Sequence, residues 1–167
     1  MTATAAVGLA LVGLGATHLV YTYVAYPWIV GLLPVRPPRP ATAPAPRLVS
    51  IVIAARDAGR EVAEKVRDLL QTVRLDCEIV VVLDGPDPAA TTAMSALLGE
   101  RTRLIVLPTP VGKAEALNHA VAATRGEVLI FTDVRQRVTP GAVERLVGAL
   151  RSPDVGAVSG LMEVASP

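Results

Sequence analysis

The N-terminal stretch constrains the fold most, because residues 3–33 contain no Asp, Glu, Lys or Arg. Such a run exceeds the roughly 20 apolar residues that cross the core of a bilayer. Most of the aromatic residues of the chain lie in its second half, namely Tyr21, Tyr23, Tyr26 and Trp28, as in the aromatic belt of a membrane interface. A signal peptide would need a positive start and a shorter apolar core, and a buried core helix is the other alternative. We expect a transmembrane anchor over residues 3–33.

Basic residues follow this stretch, and none precedes it. Arg36, Arg39 and Arg47 lie on its C-terminal side, so the positive-inside bias predicts a single span with the soluble part in the cytoplasm. The expected location is the cell membrane, most simply a bacterial inner membrane, with the lipid bilayer as a partner. Residues 34–47 are rich in proline, which predicts a semi-rigid linker with polyproline II character.

Residues 48–167 form the third predicted region, in which apolar, β-branched runs alternate with amphipathic stretches. The alternation predicts an α/β fold with a Rossmann-like, mostly parallel sheet and helices on both faces. Glycine 126 is the expected C-cap of the third helix, and Thr139-Pro140 is the expected start of the fourth. The predicted strands are 48–55, 78–84, 103–108, 127–133 and 155–160, and the predicted helices are 60–73, one from residue 88, 112–125 and one from residue 139.

Charge and cysteine content exclude several classes of function. The chain carries a net charge of +1, and all of its acidic residues lie after residue 47, so the soluble part is slightly acidic. Nucleic-acid binding through bulk charge is therefore not expected. The one cysteine, Cys77, excludes an internal disulfide, and no Cys/His cluster offers a zinc site.

Three aspartates stand at the carboxyl ends of predicted strands: Asp57, Asp84 and Asp133. Ligands bind at these ends in open parallel sheets. One such aspartate is often only a turn former or helix cap, but three predict a site for hydroxyls, imide donors or a metal. Gly112 and Lys113 open a helix, where free N–H groups and an ammonium would attract a diphosphate, although a solvated lysine is the simpler reading. No GxGxxG motif or P-loop is present.

Five segments in this order carry a resemblance to a known family. They are VSIVIAARDAG (49–59), EIVVVLDG (78–85), GKAEALNHA (112–120), GEVLIFTDVRQ (126–136) and VGAVSG (155–160). The set resembles the N-terminal half of a family 2 glycosyltransferase of the GT-A fold, a family that includes membrane synthases of cellulose, hyaluronan, chitin and poly-N-acetylglucosamine. The resemblance implies a GT-A sheet that is incomplete here.

The resemblance also implies roles for individual residues. Ala55, Arg56 and Asp57 match the first-strand exit that cradles the nucleotide base. Asp84 matches the aspartate that accepts hydrogen bonds from base or ribose. Lys113 matches a position that lines the diphosphate and sugar pocket.

Asp133 matches the first aspartate of the family's Asp-x-Asp motif, which helps to hold the nucleotide and a divalent metal, Mg²⁺ or Mn²⁺. Arg135 stands where the second aspartate is found in the family. It could pair with Asp133, contact phosphate and replace part of the charge of a metal, or be an exposed arginine. The resemblance therefore leaves metal dependence open.

The expected function is transfer of a sugar from a nucleotide-diphosphate donor, expected to be a UDP-sugar, to a glycan or lipid acceptor at the cytoplasmic membrane face. No residue of the chain is assigned as the general base, and we expect a fragment that lacks the acceptor half and is inactive alone. One alternative is a non-catalytic, membrane-anchored module that binds a nucleotide sugar or a partner. Another is a different Rossmann-like enzyme such as a methyltransferase, which predicts a glycine-rich loop after the first strand, where ARDAG has one glycine.

Overall fold

The computed structural model describes residues 2–34 and 39–163. The chain divides into two compact units, Met1–Pro37 and Pro38–Pro167, and each is described by itself. Part of the predicted linker, residues 35–38, lies outside the described residues. Residues 39–47 have no helix or strand, and the Arg151 side chain donates to the carbonyl of Ala43 at 2.7 Å. This end of the linker therefore packs onto the soluble unit.

The N-terminal unit is a continuous helical segment over Ala3–Leu32, 30 residues with a mean hydropathy of 1.7. It consists of α1 (Ala3–Val20), a π-helical turn (Tyr21–Ala25) and α2 (Tyr26–Leu32). The wider turn has a local cause, since Pro27 has no N–H to donate and its ring would clash with a carbonyl one turn earlier. At 1.5 Å per residue the segment is about 45 Å long, which is enough to cross a bilayer core of about 30 Å.

The soluble unit is built on a four-stranded parallel sheet with the order β3-β2-β1-β4. Every residue of β1 and β2 is buried, which explains why these central strands have continuous apolar sequences. The predicted fold class, a parallel α/β sheet, is confirmed. The strands are β1 (Val49–Ala55), β2 (Cys77–Leu83), β3 (Thr102–Val106) and β4 (Val128–Phe131).

Helices cover both faces of the sheet. The helices are α3 (Glu61–Thr72), α4 (Pro88–Met94), α5 (Lys113–Ala122) and α6 (Ala142–Leu150). Val62 of α3, Met94 of α4 and Val147 of α6 pack with Ile51 and Ile53 of β1 in one apolar core. Helix α5 packs on the other face through two alanines, in a second core with Val52 and Val80. Strands β2 and β3 are added on one side of β1, whereas β4, which follows α5, is added on its other side. The order of strand addition therefore reverses at β1.

Three details of the predicted boundaries were wrong. Residues 155–160 form no strand and are mostly exposed, because they pair with no strand in the described part of the chain. Helix α6 begins after Gly141, which takes the left-handed conformation (φ +76°), rather than at Thr139-Pro140. Helix α5 ends at Ala122, and Gly126 is not its cap.

Gly126 instead permits a close approach between β1 and the start of β4. A Cβ at this position would lie 2.5 Å from Ser50 Oγ and 2.6 Å from the Ser50 nitrogen. The Gly126 N–H donates to the Ser50 hydroxyl at 2.8 Å. Only glycine fits here without displacing β1.

A polar cluster lies at the amino end of the sheet, and we call it the Glu78 cluster. It consists of the buried Glu78 and Ser50 and of two partly exposed arginines, Arg103 and Arg125. Ser50 Oγ donates to Glu78 Oε1 at 2.6 Å, and Arg103 and Arg125 donate to Oε2 at 2.7 and 3.1 Å. Burial by itself raises the pKa of the Glu78 carboxyl, but the hydrogen bonds from Ser50, Arg125 and Arg103 outweigh it and lower the pKa from 4.5 to about 2. The cluster ties together β1, β2, β3 and the segment that leads into β4.

Candidate functional site

The carboxyl ends of β1 and β4 border a cleft of about 290 Å³. The two strands are parallel neighbours, so the loops that follow them lie side by side. Ala54 and Ala55, the last residues of β1, are buried, and their small side chains leave room above the strand end. Five residues predicted for the site line this cleft, namely Ala55, Arg56, Asp57, Asp133 and Arg135.

The two other predicted residues, Asp84 and Lys113, do not line the cleft, but Lys113 reaches one of its walls. Lys113 Nζ donates to Asp133 Oδ1 at 2.9 Å, although the two residues are on different elements. This hydrogen bond lowers the pKa of Asp133 below its ordinary value despite some opposing desolvation. The carboxylate is therefore held ionised at neutral pH beside an ammonium, an arrangement that suits the binding of charged oxygen-rich ligands.

Arg135 contacts Asp133 through its backbone rather than its guanidinium. Its N–H donates to Asp133 Oδ2 at 3.2 Å, which closes a tight turn after the end of β4. The arginine is exposed, and among the described residues its side chain forms no ion pair or hydrogen bond. Of the three alternatives given above, pairing of the guanidinium with Asp133 is therefore not what the structure contains.

Asp84 is buried, with 5% of its surface exposed, and its carboxylate is occupied by main-chain donors. It accepts from the Val111 N–H at 2.6 Å and from the Gly112 N–H at 3.2 and 3.1 Å. Gly112 has a φ of +92°, which favours glycine. The contacts fix the residues that precede α5, and they therefore fix the backbone from which Lys113 extends. The role that the resemblance implies for Asp84, contact with base or ribose, stays a prediction.

Asp57 lies in the loop after β1 with a φ of +50°, a left-handed conformation that aspartate adopts more easily than most residues. Its carboxylate lies 3.6 Å from Arg56 Nε, and both side chains are largely exposed. Such a pair contributes little to stability, so Asp57 and Arg56 remain available to a ligand.

Asp87 holds this loop in place, a role that was not predicted from the sequence. It accepts from the Ala90 N–H at 2.9 Å as the N-cap of α4 and from the Gly59 N–H at 2.9 Å. These hydrogen bonds, that of Ala90 first, lower the pKa of Asp87. An aspartate before Pro88 is a recognisable N-cap signal, but the contact with Gly59 is not encoded locally.

Lys65 is a second residue beside the site that was not predicted from the sequence. Only 5% of its surface is exposed, and its ammonium donates to the backbone carbonyl of Gln136. Burial lowers the pKa of Lys65, and the nearby carboxylates Asp68 and Asp133 oppose this effect. A signal existed, because Lys65 occupies a position of the apolar stripe of α3, three residues after Val62.

Three carboxylate residues, Asp57, Glu61 and Asp133, line the cleft, and Asp133 is the one assigned to a divalent metal by the resemblance. No group of three or more His, Cys, Asp or Glu side chains that could hold a metal occurs among residues 2–34 and 39–163. Within the described part of the chain, Asp133 Oδ2 accepts one hydrogen bond, from the Arg135 N–H, and a carboxylate oxygen can accept more than one. One or two carboxylates, together with phosphate oxygens and waters, are a normal set of Mg²⁺ ligands. The residues therefore fit a metal that is bound mainly through a phosphorylated ligand.

Comparisons with known proteins find similar glycosyltransferases. A glycosyltransferase of Streptococcus pneumoniae, GlyG, is 25% identical over 115 residues, which are 68% of this chain and 38% of that protein. A mannosyltransferase of Pyrobaculum calidifontis, solved with GDP-Man and Mn²⁺, is 25% identical with a TM-score of 0.66, over 95% of this chain and 46% of that one. The chain thus spans less than half the length of these two relatives.

Glucosyl-3-phosphoglycerate synthase of Mycobacterium tuberculosis, solved with Mn²⁺, UDP and glucosyl-3-phosphoglycerate, is also similar. It is 25% identical with a TM-score of 0.53, and the match covers 65% of this chain and 41% of that one. The family model described as Glycosyl transferase family 2 matches residues 50–166, a range that includes all of the sheet except Val49 and every residue of the cleft. The chain therefore belongs to glycosyl transferase family 2.

Proposed function

We propose that this chain is the donor-binding half of a membrane-anchored glycosyltransferase, which transfers a sugar from a nucleotide diphosphate, a UDP-sugar in the simplest case, to a glycan or lipid acceptor. The observation that carries the proposal is the cleft at the ends of β1 and β4, with Asp133 and Lys113 paired at its wall. The similar mannosyltransferase and synthase were solved with GDP-Man and UDP, respectively, which supports a nucleotide ligand.

The residues divide into a base side and a diphosphate side. Asp57 and Arg56, on the loop after β1, would contact the base, since their side chains are exposed and weakly paired. Lys113 and Arg135 would neutralise the diphosphate, because both are exposed cations within reach of the Asp133 turn. Positive charge near the diphosphate stabilises the leaving group as the bond to the sugar breaks.

Asp133 would hold a Mg²⁺ or Mn²⁺ ion together with the diphosphate. Such an ion would supply Lewis-acid stabilisation of the departing diphosphate. The hydrogen bond with Lys113 lowers the pKa of Asp133, and this keeps the carboxylate ionised for the metal. Both similar structures contain Mn²⁺, and this supports a divalent ion here.

The apolar N-terminal segment would anchor the protein in a membrane, with the soluble unit in the cytoplasm. Its length and its hydropathy of 1.7 support the anchor. The arginines that follow it support the orientation.

Isothermal titration calorimetry of the full chain in detergent, with UDP or GDP and MnCl₂, tests the proposal. We expect binding of at least one nucleotide and a loss of at least tenfold in affinity in Asp133→Asn. Asp76→Asn is the matched control, because Asp76 is exposed at the opposite end of the sheet, and it should bind as the wild type does. Equal affinity in wild type and Asp133→Asn, or no binding of either nucleotide, would refute the donor site.

A further inference from the structure

Lys65 is an unusual residue in the core-facing stripe of α3. A buried ammonium costs free energy unless it is paired or hydrogen-bonded, and a methionine could fill the same volume without that cost. Its neighbours Val62, Val66 and Leu69 are fully buried and apolar. The charge at this position therefore calls for a reason other than packing.

The partner of Lys65 is the turn that carries Asp133. The ammonium of Lys65 donates to the Gln136 carbonyl. Within the turn, the Gln136 N–H donates to the Asp133 carbonyl at 3.2 Å, and the Asp133 N–H donates to Gln136 Oε1 at 3.1 Å. The two ends of this turn are thus hydrogen-bonded to each other, and Lys65 connects the turn to α3.

The same turn sets the direction of the Asp133 carboxylate. Asp133 Oδ2 accepts the Arg135 N–H from inside the turn, while Oδ1 accepts from Lys113. A displacement of the turn would therefore move the carboxylate away from the cleft or from Lys113. An error of about 1 Å in the position of a binding group is enough to weaken it severely.

We propose that Lys65 is a positioning residue of the donor site, whose ammonium holds the Asp133–Gln136 turn so that the Asp133 carboxylate faces the cleft. The inference rests on the proposed function. It assigns Lys65 no contact with the donor, and it predicts that Lys65 acts through Asp133 alone.

A double-mutant cycle with two readouts tests this role. The variants are Lys65→Met, which keeps the stem and removes the ammonium, Asp133→Asn and the double variant. Lys65→Arg is the conservative rescue, and Arg67→Met, an exposed cation on the same helix, is the control. The first readout is the affinity for UDP and GDP with MnCl₂ in the full chain. The second is hydrogen–deuterium exchange of the peptide that spans residues 132–138.

We expect Lys65→Met to weaken nucleotide binding about tenfold and to accelerate exchange in the 132–138 peptide while the peptides of the central strands stay protected. Lys65→Arg should restore most of both, and Arg67→Met should change neither. In the Asp133→Asn background Lys65→Met should cost no further affinity, since a residue that acts through Asp133 has nothing left to position.

Three results would overturn the inference. Additive losses of affinity in the double variant would show that Lys65 acts independently of Asp133. Faster exchange throughout the sheet, without a specific effect at 132–138, would show a role in folding only. Wild-type affinity in Lys65→Met, with Asp133→Asn still impaired, would remove Lys65 from the site and leave the proposed function intact, whereas absence of binding in the wild type would refute both.

Discussion

Replacement of Glu78 by glutamine probes the Glu78 cluster at the amino end of the sheet. Glutamine keeps the volume and one acceptor oxygen, but its NH₂ group must face donors. Glu78 is 2% exposed, and both of its oxygens accept, from Ser50 and the Arg125 N–H on one side and from the Arg103 and Arg125 side chains on the other. In either orientation of the amide, two donors lose their acceptor and two arginines lose their counterion.

The lowered pKa of Glu78 gives the expected loss of folding free energy. The difference between 4.5 and about 2 corresponds to about 3 kcal/mol of stabilisation by the ionised carboxylate at neutral pH. The loss of two hydrogen bonds to a buried charged acceptor, about 1.5–3 kcal/mol each, is of similar size, and the guanidinium groups, 37% and 60% exposed, recover part of it from solvent. We therefore expect Glu78→Gln to lower the free energy of unfolding of the soluble unit by about 3 kcal/mol.

Cys77 supplies the assay. It is the only cysteine of the chain and is 1% exposed in β2, so a pulse of maleimide labels it only where the sheet has opened. The apolar N-terminal helix carries no thiol and therefore contributes no labelling. With a urea m-value of about 1.5 kcal/mol/M, the labelling midpoint in detergent should fall by about 2 M in Glu78→Gln. Glu127→Gln, at an exposed glutamate before β4, should leave the midpoint unchanged.

The pH dependence gives the sign of the effect. Because the folded-state pKa of Glu78 is lowered, its contribution is complete above about pH 4.5 and is lost as the pH falls toward 2. The difference between wild type and Glu78→Gln should therefore shrink between pH 5 and the acid limit of the measurement. A difference below 1 kcal/mol at pH 7, or one that does not change between pH 7 and 3, would refute the reasoning.

Three further predictions concern other parts of the chain. Gly126→Ala should lower the free energy of unfolding by about 1–3 kcal/mol in the same thiol assay, because its Cβ would overlap Ser50. The control Gly148→Ala, whose Cβ meets nothing within 4 Å, should be neutral or stabilising. Equal urea midpoints in the two variants would contradict the close approach at Gly126. Asp87→Ala should lower the free energy of unfolding by about 1–2 kcal/mol through the lost N-cap of α4, and it should speed hydrogen exchange in the loop after β1. Unchanged exchange in that loop would show that Asp87 caps α4 without holding the loop. The segment Ala3–Leu32 should keep the chain in the membrane fraction after carbonate extraction, and a C-terminal tag should be inaccessible from outside intact cells. Release of the chain by carbonate would reject the anchor, and an externally accessible tag would reject its orientation.

The strands and helices of the soluble unit could be predicted because their patterns are local. The apolar, β-branched run of β2 and the apolar stripe of α3 each carry their own periodicity. The stretch VGAVSG at 155–160 has a similar composition, yet it forms no strand. A strand requires a partner to accept its hydrogen bonds, and no composition reveals whether that partner is in place.

The site was predictable to the extent that it follows from strand ends. Asp57 and Asp133 each stand two residues after the end of a strand, β1 and β4, and the structure brings them to one cleft. The residues that hold them were not predictable in the same way. Lys65 and Asp87 act through partners 71 and 28 residues away in sequence, and such contacts are created only by the packing of whole elements.

The anchoring of Asp84 to the residues before α5 has a consequence for motion. Asp84 follows directly after β2, an interior and fully buried strand, and its carboxylate holds the Val111 and Gly112 amides. The first turn of α5 is therefore attached to the centre of the sheet. The Lys113 side chain, two-thirds exposed, can then leave Asp133 by rotation about its own bonds, in picoseconds to nanoseconds. Exchange of one counterion for another at Asp133 thus demands no rearrangement of the main chain.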